Sequence, residues 1–208
     1  MNSRLGLFGG SFDPIHCGHL IVARSIAEQL NLDRVVLLPS AYPPHKGSVN
    51  STHAPHRAEM TALAIQDEPL FELHDFDLCR TGPTYTIDTV QHFRSATPPR
   101  TRIHWIIGSD TLAELDSWHR VTELVELCEI VTATRPGNEA IPWEALRRTF
   151  NDKQIQRLSS GVFETPQIDV SSSEIRRRVG AGMSVRFMVP DKVADYIERQ
   201  SLYRETSP

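Results

Sequence analysis

The chain has 208 residues, 39% of them hydrophobic, and a formal net charge of −4, which suits a single domain spanning residues 1–208. The mildly acidic balance argues against a nucleic acid partner. No apolar run approaches the ~18 residues of a membrane span, so we expect no membrane association. The three cysteines, Cys17, Cys79 and Cys128, are odd in number and far apart, which is typical of reduced thiols, so we expect a cytoplasmic location.

Hydrophobic periodicity predicts strands that alternate with helices. The predicted strands are Leu5–Phe8, Arg34–Leu38, Phe71–Leu73, Ile103–Ile107 and Ile130–Thr134. The predicted helices are Leu20–Leu30, Pro55–Gln66, Thr86–Arg94, Thr122–Leu127, a helical pattern at Trp143–Phe150 that could be an insertion, and a last helix within Val189–Leu202. This alternation predicts an α/β fold, a Rossmann-like doubly wound parallel sheet, followed by a small helical C-terminal part at about residues 166–208. Ligands of such folds bind beyond the carboxyl ends of the strands.

The loop after the first strand carries the most informative motif, which we call the signature loop: Gly9-Gly10-Ser11-Phe12-Asp13-Pro14-Ile15-His16-Cys17-Gly18-His19. The glycine pair lets the backbone approach a ligand closely, and the helix start that follows offers unpaired N–H groups to an anion such as phosphate. His16 and His19 can donate to phosphate oxygens whose charge grows in a transition state. A metal site formed by His16, Cys17 and His19 is the alternative, but no second cluster at ligand spacing completes it.

This motif resembles the signature of the HxGH nucleotidyltransferase family, whose members act on nicotinate nucleotide, pantetheine phosphate or glycerol phosphate. Its form here is most similar to that of the bacterial nicotinate-mononucleotide adenylyltransferases. The resemblance implies an enzyme that transfers the adenylyl group of ATP to nicotinate mononucleotide, giving deamido-NAD and pyrophosphate. It also implies Mg²⁺ bound with ATP, although no carboxylate cage for the ion is visible in the sequence. Homo-oligomerisation stays open.

Two further motifs lie at predicted element ends, one in the loop after the second strand and one at the start of the third helix. Paired prolines before His45 and Lys46 stiffen a loop after the second strand, a pattern that is also common at protein surfaces. In the resembled family the basic residue at the Lys46 position faces the triphosphate of ATP. Thr84 and Thr86 are each credible N-caps of the third helix, and the resemblance adds that this Thr-Tyr-Thr stretch holds the pyridine carboxylate on backbone N–H groups.

The later motifs extend the resemblance to most of the chain. Asp110, after Gly108, can accept hydrogen bonds from sugar hydroxyls, and Trp118 is either a core aromatic residue or, as in the family, a stacking partner of the pyridine ring. Arg135, at the end of the fifth strand, faces the mononucleotide in the resembled enzymes. Ser171 and Glu174 fit a capping box, within a stretch similar to the family's phosphate-binding Ile-Ser-Ser-Thr-x-Ile-Arg motif.

Residues and resemblance together give three groups of expected site residues. The expected catalytic residues are His16, His19, Lys46 and Arg176. The expected ATP-binding residues are Gly9, Gly10, Ser11, Phe12, His16, His19, Gly108, Asp110, Ser172, Ser173 and Arg176. The expected mononucleotide-binding residues are Ser40, His45, Lys46, Thr84, Tyr85, Thr86, Trp118 and Arg135. The alternatives are a related transferase for pantetheine phosphate or nicotinamide mononucleotide, and a nucleotide sensor without turnover.

Overall fold

Six parallel strands form the centre of the protein, with helices packed on both faces of the sheet. The computed structural model describes residues 3–40, 52–80, 82–134 and 141–204. The strands are β1 (Arg4–Gly10), β2 (Arg34–Pro39), β3 (Phe71–Leu73), β4 (Arg102–Gly108), β5 (Glu129–Thr134) and β6 (Val162–Glu164). The helices are α1 (Cys17–Leu30), α2 (Ala54–Ile65), α3 (Thr86–Ala96), α4 (Ser109–Ala113), α5 (Val121–Leu127), α6 (Trp143–Leu146), α7 (Asp152–Ser160), α8 (Ser172–Gly180) and α9 (Asp191–Arg199). The predicted α/β fold is confirmed.

The strand order β3-β2-β1-β4-β5-β6 determines where a ligand can bind. From β1 the chain moves outward through β2 and β3, and then begins again at β4 on the other side of β1. The neighbouring crossovers therefore leave β1 and β4 in opposite directions, which opens a crevice beyond the carboxyl ends of these two strands. The ends of β1 and β4 carry the signature loop and the Gly108 turn.

Side chains that alternate along the strands build two cores, one on each face of the sheet. Leu7 of β1 and Trp105 of β4 pack with Val90 of α3 on the first face. Ile106 of β4 packs on the second face with residues of α1 and α9, including Ile197. The C-terminal helices therefore share a core with the sheet. The same core contains Phe12 and Ile15 of the signature loop. No helix in the described ranges is long and apolar enough to cross a lipid bilayer.

The structure differs from the predicted elements mainly at the ends of helices and in the last third of the chain. Helix α1 begins at Cys17, three residues before the predicted Leu20, so that His19 lies in its first turn. The helical pattern predicted at Trp143–Phe150 is a single turn, α6. β6 and α7 were not predicted, because β6 is a short edge strand without a fully buried side chain and α7 is mostly polar. Short edge strands carry little apolar periodicity.

Candidate active site

A cleft of about 810 Å³ opens at the carboxyl ends of β1 and β4. Its volume lies within the ~300–1,000 Å³ that is typical of small-molecule sites. The cleft brings together predicted site residues from five separate stretches of sequence, namely Gly9, Gly10, Ser11, Ser40, Thr84, Tyr85, Thr86, Gly108, Asp110 and Trp118. The crevice expected from the strand order is thus lined by side chains and backbone that were expected to bind both substrates.

Gly9 allows an indole ring to form part of the cleft wall. A Cβ atom added at Gly9 would lie 2.8 Å from the ring of Trp105, so any other residue would force this ring to move. Trp105 is 4% exposed and lines the cleft from β4. The sequence predicted a strand at this position, Ile103–Ile107, but nothing in it indicated the contact of Trp105 with the glycine pair.

The two histidines of the signature loop lie ring against ring. Their ring centroids are 3.7 Å apart with an interplanar angle of 25°. The backbone N–H of His16 donates to Nδ1 of His19 at 3.2 Å, which requires Nδ1 to be an acceptor. In the neutral ring the proton is then on Nε2, which makes that atom the hydrogen-bond donor of the imidazole. Neither histidine lines the cleft itself; His19 adjoins it through Phe8, whose ring is 6.1 Å away.

The position of the His16 ring explains why a glycine, Gly18, stands between these histidines. A Cβ atom at Gly18 would come within 3.0 Å of Nδ1 of His16, closer than side chains normally approach. The sequence suggested backbone access to a ligand as the role of the Gly9-Gly10 pair. At Gly18 the structure shows a different requirement, which is space for the imidazole of His16.

The first turn of α1 offers fewer open amides than expected. The N–H of Cys17 donates to the carbonyl of Met188 at 2.9 Å, and the N–H of His19 donates to the carbonyl of His16 at 3.0 Å. The expectation that this helix start presents its N–H groups freely to an anion is therefore wrong for these two amides. The C-terminal loop before α9 covers the Cys17 amide, through a contact between residues 171 positions apart that no local pattern reveals.

Helix α8 is attached to the signature loop through hydrogen bonds to backbone carbonyls. The hydroxyl of Ser172 donates to the carbonyl of Pro14 at 2.9 Å, and the guanidinium of Arg176 donates to the carbonyl of Asp13 at 2.6 Å. Arg176 also bonds the hydroxyl of Ser173 at 3.3 Å. Ser172, Ser173 and Arg176 thus lie beside the loop rather than on the cleft wall; their contact with ATP phosphates stays a prediction.

The capping of α8 follows only half of the expected box. The hydroxyl of Ser171 accepts the N–H of Glu174 at 3.2 Å, as predicted. The carboxylate of Glu174 instead pairs with Arg177 on the exposed side of the helix, and this pairing lowers the pKa of the carboxyl.

The opposite wall of the cleft comes from the start of α3 and from the segment after α4. The N-cap of α3 is Tyr85, and no side chain caps the helix. The expectation that Thr84 or Thr86 is the N-cap is therefore wrong. An uncapped helix start leaves its first N–H groups for another acceptor. Trp118 packs against the core and lines the cleft, and His119 lies against Tyr85 with ring centroids 4.3 Å apart.

Other residues that line the cleft had not been singled out: Asp77, Thr111, Glu114, Ser117 and His119. Asp77 is 5% exposed and accepts a hydrogen bond from the hydroxyl of Thr89 at 2.6 Å. Burial raises the pKa of the Asp77 carboxyl, while the Thr89 bond and Arg80 act in the opposite direction. The carboxyl follows a three-residue edge strand, where the sequence pattern gave no indication of a site.

Three predicted site residues, His45, Lys46 and Arg135, lie outside the described residues. Within the ranges that the structure describes, no three His, Cys, Asp or Glu residues lie close enough together to hold a metal ion. Burial raises the pKa of the Cys17 thiol, which disfavours the thiolate that the alternative metal site would need.

Comparison with known proteins gives concordant matches along the chain. The model of the cytidylyltransferase-like family matches residues 7–178. A protein of Herpetosiphon aurantiacus is 41% identical over 204 residues, covering 96% of this chain and 98% of its own length, and one of Thermoanaerobacter sp. is 37% identical over 205 residues, covering 97% and 95%. Both carry the name "Probable nicotinate-nucleotide adenylyltransferase".

A solved structure shares the fold. The nicotinic acid mononucleotide adenylyltransferase of Plasmodium falciparum, complexed with NaAD, superposes with a TM-score of 0.74 at 20% identity and covers 97% of each chain. At this identity the likeness concerns the fold, whereas the family follows from the sequence matches. The chain belongs to the cytidylyltransferase-like family and, within it, to the nicotinate-nucleotide adenylyltransferases.

Proposed function

We propose that this chain transfers the adenylyl group of ATP to nicotinate mononucleotide, giving deamido-NAD and pyrophosphate in NAD biosynthesis. The observation that carries the proposal is the single cleft that joins the glycine pair of the signature loop to Tyr85, Thr86 and Trp118. One end offers backbone suited to phosphates, and the other offers an uncapped helix start and an aromatic ring suited to a pyridine carboxylate. The names of the sequence relatives agree with this assignment.

The reaction needs little proton transfer from the protein. An oxygen of the nicotinate mononucleotide 5′-phosphate, already anionic, attacks the α-phosphorus of ATP, and the bond from that phosphorus to the β-phosphate oxygen breaks. Catalysis then depends on alignment and on stabilising the charge that develops on the phosphoryl oxygens. In this proposal Nε2 of His19 donates to these oxygens, while Arg176 and Lys46 add positive charge. Attack is direct, without a covalent enzyme intermediate.

Magnesium ion, when bound with ATP, would neutralise charge on the triphosphate. The described residues offer it no ready cage of carboxylates, and Asp13 is engaged by Tyr203 and by the N–H of Thr52. Phosphate oxygens and water are therefore the ligands we propose for the ion. We place the reaction in the cytoplasm because Cys17, Cys79 and Cys128 are free thiols.

The choice between nicotinate and nicotinamide mononucleotide tests this proposal. If N–H groups at the start of α3 receive the carboxylate, the amide substrate loses a charge-assisted bond and leaves one donor unpaired. These losses are about 1–3 kcal/mol each, so we expect the acid to be preferred by roughly 10²-fold or more in kcat/KM. Pyrophosphate release with ATP and a panel of acceptors, including pantetheine phosphate, measures this preference.

Two variants separate ring stacking from carboxylate recognition. Trp118→Ala removes a stacking surface that acid and amide share, so kcat/KM should fall for both substrates while their ratio changes little. Trp143→Ala is the matched control, since Trp143 packs against the same core but does not line the cleft. Equal use of both mononucleotides by the wild type would overturn the substrate assignment, and absence of turnover with every acceptor would favour the nucleotide sensor.

A further inference from the structure

Arg57 of α2 is a buried arginine that the sequence did not single out. Its side chain is 1% exposed, and it is among the largest fully buried side chains of the described residues. Burial lowers the pKa of its guanidinium, which the nearby Asp13 carboxylate partly opposes. A buried charge is costly unless it is compensated by close partners, so its position needs a reason.

The guanidinium of Arg57 holds three separate parts of the backbone around the cleft. It donates to the carbonyl of Ser11 in the signature loop at 2.6 Å and to the carbonyl of Ser40, at the end of β2, at 2.7 Å. Its Nε donates to the carbonyl of Thr52 at 2.9 Å. Ser11 and Ser40 both line the cleft. A planar fork of N–H donors fits such a set of acceptors, whereas a lysine ammonium does not reproduce its geometry.

The bond to Ser11 determines the orientation of the next amide. In a trans peptide the C=O of one residue and the N–H of the next point in opposite directions, and the cis bond of this loop lies at Asp13-Pro14, beyond the Ser11–Phe12 peptide. Because the Ser11 carbonyl faces the buried guanidinium, the Phe12 N–H faces away from it. Phe12 itself has a φ of 44°, in the left-handed region that non-glycine residues seldom adopt, so its contacts must hold this conformation.

The Phe12 side chain connects this backbone arrangement to the histidine pair. Its ring is 1% exposed and meets the His19 imidazole edge to face, with centroids 5.1 Å apart. A shift at Ser11 would therefore move both the Phe12 amide and the packing of the His19 ring. Displacements of about 1 Å in an active site can cost ~10²-fold in rate.

We propose that Arg57 is a positioning residue for adenylyl transfer: by holding the Ser11 carbonyl, it turns the Phe12 N–H toward the substrate phosphates and fixes the ring that packs on His19. This inference rests on the proposed function, since it assigns the signature loop to phosphates. Arg57 itself touches no substrate in this arrangement. Its effect is exerted through the backbone of Ser11 and Phe12.

Arg94 of α3 provides a matched control. It donates to the carbonyls of Thr101 and Leu127, each at 2.6 Å, and these precede β4 and β5 at the end of the sheet opposite the cleft. Replacing Arg94 removes arginine-to-carbonyl bonds of the same kind without touching the signature loop. Arg57→Lys, Arg57→Met, Arg94→Lys and Arg94→Met are compared for melting temperature, folded fraction, kcat and both Michaelis constants.

For the folded fraction, we expect kcat to fall ~10²-fold in Arg57→Met and at least ~10-fold in Arg57→Lys, while the Arg94 variants stay within about threefold of wild type. The loss in kcat should exceed the change in either Michaelis constant, because the donors act most strongly on transition-state charge. Arg57→Lys keeps the charge opposite Asp13 and serves as the test if Arg57→Met does not fold.

Wild-type kcat in Arg57→Lys, or equal losses in the Arg57 and Arg94 pairs, would overturn the inference and leave the proposed function intact. A wild-type protein that does not turn over ATP and nicotinate mononucleotide would overturn the proposed function, and the positioning role with it.

Discussion

In the mechanism proposed above, the two ring nitrogens of His19 have different roles. Nδ1 accepts the N–H of His16, and Nε2 is the atom proposed to donate to the phosphoryl oxygens. Asparagine can accept from His16 through Oδ1 but has no group at the position of Nε2. We therefore expect kcat to fall ~10²-fold or more in both His19→Asn and His19→Ala, the usual cost of removing one transition-state donor, with ATP affinity changed only several-fold.

Thermal unfolding of the same two variants separates the cap of α1 from catalysis. His19→Ala also loses the acceptor for the His16 N–H and should be less stable than His19→Asn by about 1 kcal/mol. Steady-state kinetics and calorimetric ATP titration provide the other readouts. Turnover at the wild-type rate in either variant would remove His19 from the proposed mechanism.

Helix α8 acts as a unit that attaches the C-terminal part to the signature loop. Arg176 reaches the Asp13 carbonyl, while Arg177, one position along, pairs with Glu174 on the exposed side. The positive charge of Arg176 would act on the ATP phosphates in the ground state and the transition state alike, so Arg176→Ala should mainly raise the KM for ATP, by about 10-fold for one charge-assisted bond, and leave the KM for nicotinate mononucleotide within a few-fold. Arg177→Ala is the control, because surface ion pairs contribute little. If only the KM for nicotinate mononucleotide changed, Arg176 would contact the mononucleotide rather than ATP, and the prediction would be wrong.

Elements with strong periodicity were predictable, and elements that depend on neighbours were not. Ile87, Val90 and Phe93 recur at helical spacing within the predicted helix Thr86–Arg94, and the structure buries all three on one face of α3. The β1, β2 and β4 patterns likewise predicted the central strands and hence the edge that carries the cleft. The boundary of α1 was wrong by one turn, because its first residues are glycine, cysteine and histidine, which give no helical apolar pattern.

Over the whole molecule, the contacts that hold the signature loop join residues far apart in the sequence. The hydroxyl of Tyr203 donates to the Asp13 carboxylate at 2.7 Å across 190 positions, and Arg57 reaches Ser11 across 46. Motifs reveal the groups that meet a substrate, whereas these supporting bonds are made by single polar residues whose burial depends on the complete fold. The sequence therefore predicted much of the cleft lining but missed Arg57 and Tyr203, whose side chains hold the signature loop.

The stability of the molecule should fall in mild acid because of His104 on β4. Its side chain is 7% exposed, and neither ring nitrogen has a hydrogen-bond partner among the described residues. Burial lowers the pKa of His104 below the ordinary 6.5; the Arg4 and Arg102 charges act in the same direction, and Glu129 opposes them. Below pH 6.5 the unfolded chain therefore binds a proton that the folded protein does not, so the free energy of unfolding decreases as the pH falls toward the lowered pKa.

His104→Leu tests this assignment, because leucine fits an apolar site and does not titrate. Urea unfolding at pH 8 and pH 5 should show a smaller pH-dependent loss of stability in His104→Leu than in the wild type, by about 1.4 kcal/mol for each unit of pKa depression. His53→Gln, at an exposed position before α2, is the control and should keep the wild-type dependence. Carboxylates that begin to titrate near pH 5 contribute equally to all three proteins and cancel in the comparison. If the loss between pH 8 and pH 5 were the same in His104→Leu and the wild type, the acid sensitivity would have to come from groups other than this buried imidazole.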